Sequence, residues 1–217
     1  MVDTGDLKSP ALCVWVRVPP LVPIRNYMLK DTEILRTTLK EFVYNKSNKP
    51  ALSVSIETAL KDTPMLPEQY YYITTVGRYD LPNDLKGIHL LVASIEEYLL
   101  SIKDQFNKSN AENIKFNLSW IVKLTKGSQV YCHRHHPDLD GVAIFHYQTP
   151  PEGTNFVLVK DGVDNKLIED QIQENCNVFN MKTGDLLVHT STAKHGLYKY
   201  ISDIDTIMLV FDFNYTN

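Results

Sequence analysis

Cysteine is scarce in this chain. Three in 217 residues, Cys13, Cys132 and Cys176, are an odd number at wide spacing, which excludes a disulfide framework and a thiolate zinc site and points to a reducing compartment. Sequons beginning at Asn45, Asn107, Asn117 and Asn214 are accidental on that reading. Long apolar runs are also missing. ALCVWV is too short to span a bilayer, and the opening MVDTGDLKSP lacks the basic start and apolar stretch of a signal peptide; the expectation is a soluble intracellular, cytoplasmic protein. A formal charge of -4 and a pI near 6.0 leave no general electrostatic footprint for nucleic acid or an anionic membrane. Neither a low-complexity segment nor an internal repeat at a fixed period is visible.

What remains is ordinary globular composition, 43% hydrophobic and 22% charged, enough for one domain over residues 1–217. Its two parts read differently. Residues 1–113 read as a helical and irregular elaboration, and residues 114–217 as a β core. In the first part, 11–18 reads as a strand closed by Pro19, Pro20 and Pro23. A helix capped at Asp31 or Thr32 would carry Leu35, Leu39, Phe42 and Val43 on one face, and residues 51–59 alternate loosely as a strand. The tyrosine-rich stretch 60–82 reads as a loop over one end of the core. From 85 to 106, Ile88, Val92, Ile95, Leu99, Ile102 and Phe106 recur at fours and threes, the spacing of a helix packed on a sheet.

After Ile114 the period changes to two. Phe116, Leu118, Trp120, Val122 and Leu124 alternate with polar residues as far as the Lys126-Gly127 turn. Further strands read at 128–135, 142–148, 155–160, 177–181, 185–190, 196–201 and 206–213, with a tight turn at Asp161-Gly162. Eight short strands preceded by helices predict an α+β, mainly β fold: a double-stranded β-helix, the jelly-roll or cupin-like barrel, with N-terminal helices buttressing one sheet.

Six of the seven histidines fall from position 133 onward, three of them inside Tyr131–Gly141, YCHRHHPDLDG. Imidazoles and carboxylates concentrated this way suit a divalent metal. Two ligand sets can be drawn. His136, Asp138 and the distal His195 form a two-histidine, one-carboxylate facial triad, which leaves open positions on Fe(II). Alternatively, His133 and His135, which share one face of an extended strand, join Asp140 and His195 in a pattern that resembles the paired metal motifs of cupins. The bland alternative is solvated or internally bonded histidines, and His89, alone on the long helix, is assigned to it.

The runs SWIVKLTKGSQVYCHRHHPDLDGVAIFHYQTP and TGDLLVHTSTAKHG resemble the core of the 2-oxoglutarate- and Fe(II)-dependent oxygenases, especially the branch common in phage and bacterial genomes. Trp120, Gly127, His136-Pro137, Asp140-Gly141, Phe145, Tyr147, Pro150, Gly184 and His195 carry the resemblance, which covers less than half of the chain. It implies an Fe(II) centre and 2-oxoglutarate as cosubstrate, converted to succinate as a C–H bond of an unknown substrate is hydroxylated. The departures are specific. Arg134 stands at the first histidine of the family's His-x-His-Pro segment, and the final strand, DIDTIMLVFDFN, has neither Arg nor Lys where the family's arginine binds the far carboxylate of the cosubstrate in a bidentate pair. Lys199, Lys160 and Lys123 are candidate substitutes, and Tyr131 could add a hydrogen bond. His146 and His189 lie on strands near the site, as contacts to ligand or as internally bonded residues. The competing readings are a cupin-like metalloprotein without 2-oxoglutarate, and a jelly-roll binding or structural module without catalysis.

Overall fold

The change of period at Ile114 becomes a change of architecture. The computed structural model describes residues 34–39, 48–62, 77–80, 87–159, 176–197 and 200–217. In chain order these form β1 (Ile34–Thr38), α1 (Asn48–Asp62), β2 (Gly77–Asp80), α2 (Ile88–Ser101), a 3-10 turn (Lys103–Phe106), β3 (Asn113–Leu124), β4 (Val130–His133), β5 (Gly141–Gln148), β6 (Thr154–Val159), β7 (Cys176–Met181), β8 (Asp185–Thr190), β9 (His195–Leu197) and β10 (Thr206–Thr216). The strands make two antiparallel sheets, a larger one in the order β1-β8-β5-β10-β3-β2 and a smaller one in the order β4-β9-β6-β7. From β3 onward the chain passes back and forth between them, so residues distant in sequence meet in the space between the sheets. Among the described residues no helix is long and apolar enough to cross a membrane.

Period-two alternation on the larger sheet feeds two cores. Trp120, Val122, Leu124, Val142, Ile144, Leu187, Met208 and Val210 point toward the smaller sheet, where they pack with Phe156, Leu158, Phe179, Met181 and Leu197. Ile121, Ala143, Phe145, Leu186, Val188, Leu209 and Phe211 point the other way and pack with both helices. The face of α2 is buried through Ile88, Leu91, Ile95 and Leu99, spaced as threes and fours. Each such side chain contributes about 1.5–3 kcal/mol on leaving water. Leu91 lies at the centre of this face and Val92 at its margin.

Two sequence expectations are overturned. Residues 34–38, expected within a helix, form a strand paired to β8, with Ile34 opposite His189 and Thr38 opposite Asp185. Its local apolar spacing fits either period; the decisive contacts come from far along the chain. Leu35 and Thr37 are buried, while Arg36 and Thr38, on the other face, both bind the Asp185 carboxylate. Residues 51–59, expected as a strand, lie within α1, because Leu52, Ile56 and Ala59 recur at four and three and are all buried. Of the stretch 60–82, expected as a loop, residues 60–62 end α1 and residues 77–80 form β2, paired to β3. The expected strand at 11–18 and the turn at 161–162 lie outside the described residues.

His146 faces the space between the sheets, fully buried, with neither ring nitrogen hydrogen-bonded. Burial lowers its pKa to about 4, only partly opposed by the nearby Asp185 carboxylate and by the backbone of Asp185 and Ile144. The unfolded chain therefore takes up the proton first as pH falls, and the stability tied to the neutral ring is intact above the ordinary histidine value and lost between about pH 6.5 and about pH 4. His146→Leu is expected to remove about 2 kcal/mol of the stability difference between about pH 7 and about pH 5. Urea unfolding at the two pH values measures it; an unchanged difference would mean that His146 is not neutral in the fold.

Candidate metal centre

The candidate site begins with an irregularity in β4. Val130 pairs with Leu197 and His133 pairs with His195, a step of three residues on β4 against two on β9. This bulge turns both Val130 and His133 inward, which regular alternation could not do. The strands approach closely here: a Cβ on Gly196 would lie 2.7 Å from the Val130 carbonyl oxygen, so only glycine fits beside the distal histidine. Beyond His133 the strand ends, and the backbone N–H of His135 donates to the Ser191 carbonyl at 3.0 Å, tying the connection after β4 to that before β9.

The result is a cluster of imidazoles between the sheets. One nitrogen from each of His133, His135 and His195 lies within 4.8 Å of the others. The ring centroids of His133 and His195 are 4.5 Å apart and those of His135 and His195 5.1 Å apart. Trp120 stacks on His135 and Phe156 on His195, so the rings are held by packing as well as by polar contacts.

Hydrogen bonds also fix which nitrogen is presented. Nδ1–H of His195 donates to the Ala193 carbonyl at 3.0 Å, leaving Nε2 with its lone pair. Nδ1–H of His135 donates to Asp212 on β10 at 2.7 Å, with the side chains of both residues only 8% and 10% exposed. This is the carboxylate–histidine pairing that orients a metal ligand and raises its basicity. Burial first, and then the neighbouring His189, His133 and His135, hold His195 well below the usual histidine range. A neutral ring binds a cation without first releasing a proton. The nearby Cys132 thiol, pushed up to about 12 mainly by burial, does not belong to the three-histidine group.

The other expected site residues are placed elsewhere. His136 and Asp138 stand on the exposed turn after β4, their side chains 69% and 86% exposed, with Nδ1 of His136 3.6 Å from the Asp138 carboxylate; neither belongs to the three-histidine group. Asp140 accepts from the Tyr215 backbone N–H at 2.8 Å and pairs with Lys108 at 2.9 Å, which directs its carboxylate to the end of β10. Lys123 pairs with Asp205 at 3.0 Å, Tyr131 lies on β4, and Lys199 and Lys160 lie outside the described residues. Asp212 was not singled out from sequence; its signal was a lone carboxylate interrupting the apolar run of β10.

Asp212 acts on any bound metal through His135. Asp212→Ala is expected to weaken Zn(II) binding about 10–100-fold, with Asp212→Asn, which still accepts from Nδ1–H, recovering part of the loss. Competition against a chromophoric chelator reads both, and equal affinity in all three proteins would remove Asp212 from the site.

The fold is shared with solved structures of the 2-oxoglutarate-Fe(II) oxygenases. A 2OG-Fe(II) oxygenase family oxidoreductase from Burkholderia pseudomallei aligns with a TM-score of 0.57 at 17% identity, over 85% of this chain and 85% of the other. HygX from Streptomyces hygroscopicus, solved with nickel and 2-oxoglutarate bound, gives 0.57 at 15% identity over 84% of this chain and 83% of its own. A Pseudomonas putida prolyl-4-hydroxylase gives 0.57 at 12% identity over 85% and 93%. At these identities the likeness is one of fold. Neither a family model nor a curated protein sequence matches the chain.

Proposed function

We propose that this protein is an Fe(II)-dependent oxygenase built on a double-stranded β-helix, with His133, His135 and His195 holding the metal and 2-oxoglutarate as cosubstrate. The shuttling of β3 to β10 between the sheets supports the barrel. The observation that carries the function is the meeting of three imidazoles across the β4–β9 pairing, in a fold shared with oxygenase structures. Neutral imidazole suits Fe(II), and three donors leave coordination positions open. Bound iron with 2-oxoglutarate and dioxygen would supply oxidation of a substrate C–H bond. The chain's own share is to orient the imidazoles through Asp212 and the Ala193 carbonyl, and to exclude water with Trp120 and Phe156.

Two observations favour a cupin-like metalloprotein that does not use 2-oxoglutarate. The donor group is all imidazole, and β10, from Thr206 to Thr216, carries neither Arg nor Lys for the far carboxylate. The two readings separate in one experiment: anaerobic loading with Fe(II), followed by titration with 2-oxoglutarate and assay of succinate. The oxygenase reading expects one Fe(II) per chain, saturable 2-oxoglutarate binding and iron-dependent succinate. Iron uptake without 2-oxoglutarate binding selects the cupin-like reading. Failure to take up metal would overturn both and leave a binding or structural module.

A further inference from the structure

His189 enters the space between the sheets from β8, one residue before the strand ends and four before Ala193. It is fully buried. Its ring centroid lies 4.2 Å from that of His195 and 6.0 Å from those of His135 and Phe156. Nδ1–H donates to the Thr190 carbonyl at 2.8 Å, which places the lone pair on Nε2, and Nε2 has no hydrogen-bond partner. Leaving a buried acceptor unmatched is destabilising, and an apolar residue on this strand would avoid that cost, as Leu187 does two residues earlier on the same face.

We infer that His189 is a fourth imidazole of the centre, working as a hydrogen-bond acceptor: its Nε2 receives the proton of a water or hydroxyl-bearing ligand held on the open side of the metal. The inference rests on the metal-binding reading above. Three features support it. The tautomer is fixed in the same way as in His195, by a backbone carbonyl on Nδ1. His189 stays outside the group of nitrogens lying within 4.8 Å of one another, as an acceptor reaching a metal through an intervening ligand would. Its ring neighbours are His135, His195 and Phe156, and none of them satisfies Nε2. The ligand class is therefore a small protic oxygen donor, water in the resting protein and a hydroxyl-bearing molecule when one is supplied.

Heteronuclear NMR of the histidine rings, with nitrogen-labelled protein and Cd(II) as probe, tests this on the unmodified chain. Before Cd(II), His189 should show a protonated Nδ1 and an Nε2 at the position of an unpartnered lone pair. With one equivalent of Cd(II), scalar coupling to cadmium should appear on His133, His135 and His195. The Nε2 signal of His189 should move toward the hydrogen-bonded position without coupling. An unmoved signal overturns the inference, and so does direct coupling of His189 to cadmium. In parallel, His189→Leu should weaken Zn(II) binding about tenfold or more and His189→Gln, whose amide oxygen accepts, should restore part of it; equal affinity in all three overturns the acceptor role. If the unmodified chain binds neither Cd(II) nor Zn(II), or if His195→Ala binds them equally well, the metal reading falls and takes this inference with it.

Discussion

His195→Ala is expected to lower the affinity for Fe(II), or for Zn(II) as its stable substitute, by at least about a hundredfold. Protein sites assembled from four ligands bind zinc by roughly 10–16 kcal/mol, so each ligand contributes on the order of 3 kcal/mol, or two powers of ten. The loss should reach at least that size here, because His195 is fixed in place by the Ala193 carbonyl, by the stacked Phe156 ring and by pairing with His133 across the bulge. His136→Ala and Asp138→Ala, measured by the same chelator competition, are expected to remain within about twofold of the unmodified chain, since both side chains stand on the exposed turn and surface substitutions have small effects. The reverse pattern would move the site to that turn and restore the two-histidine, one-carboxylate set. Thermal melts of the metal-free variants keep a folding defect from being read as a binding defect.

The second large effect concerns the opposite end of β8. Asp185 is buried and collects Arg36 and Thr38 from β1 together with the backbone N–H of Lys182 at 2.8 Å. A carboxylate this well matched stabilises the fold chiefly by preventing a worse state, in which its partners are buried without it. Asp185→Ala is expected to destabilise the protein by about 3 kcal/mol, and to speed amide exchange along residues 34–38 first, because β1 pairs only with β8 among the described strands. The metal affinity of the folded fraction should be nearly unchanged. A urea midpoint that does not move would show that β1 is held by its backbone pairing and by Leu35 alone.

The strands of the β core were legible because their side chains alternate between two apolar layers, and period two is written directly into residues such as Trp120, Val122 and Leu124. Helix α2 was legible for the same reason at a longer period. Residues 34–38 and 51–59 were not, because each holds too few apolar positions to separate the two periods, and the partners that decide them, β8 and α2 with the larger sheet, lie far along the chain. The density of histidine pointed to one stretch, and sequence offered more than one way of drawing a ligand set through it; the structure brings His133, His135 and His195 together. What it could not supply was the bulge in β4, which depends on the close approach allowed by Gly196, and the pairing of His135 with Asp212, 77 residues away. Both are properties of the assembled sheets.

The bulged pairing of His133 with His195 also bears on how the chain holds together. A cation shared by those two rings and by His135 would join segments far apart in sequence and act as a clip across the smaller sheet, stabilising the fold because the unfolded chain does not hold the three rings together. At a free concentration a hundred times the dissociation constant, such a clip contributes about 2.7 kcal/mol to folding. Strand β9 is three residues long, so the pairing most in need of that support is the one that builds the site, and occupancy would be felt first as resistance of the smaller sheet to opening.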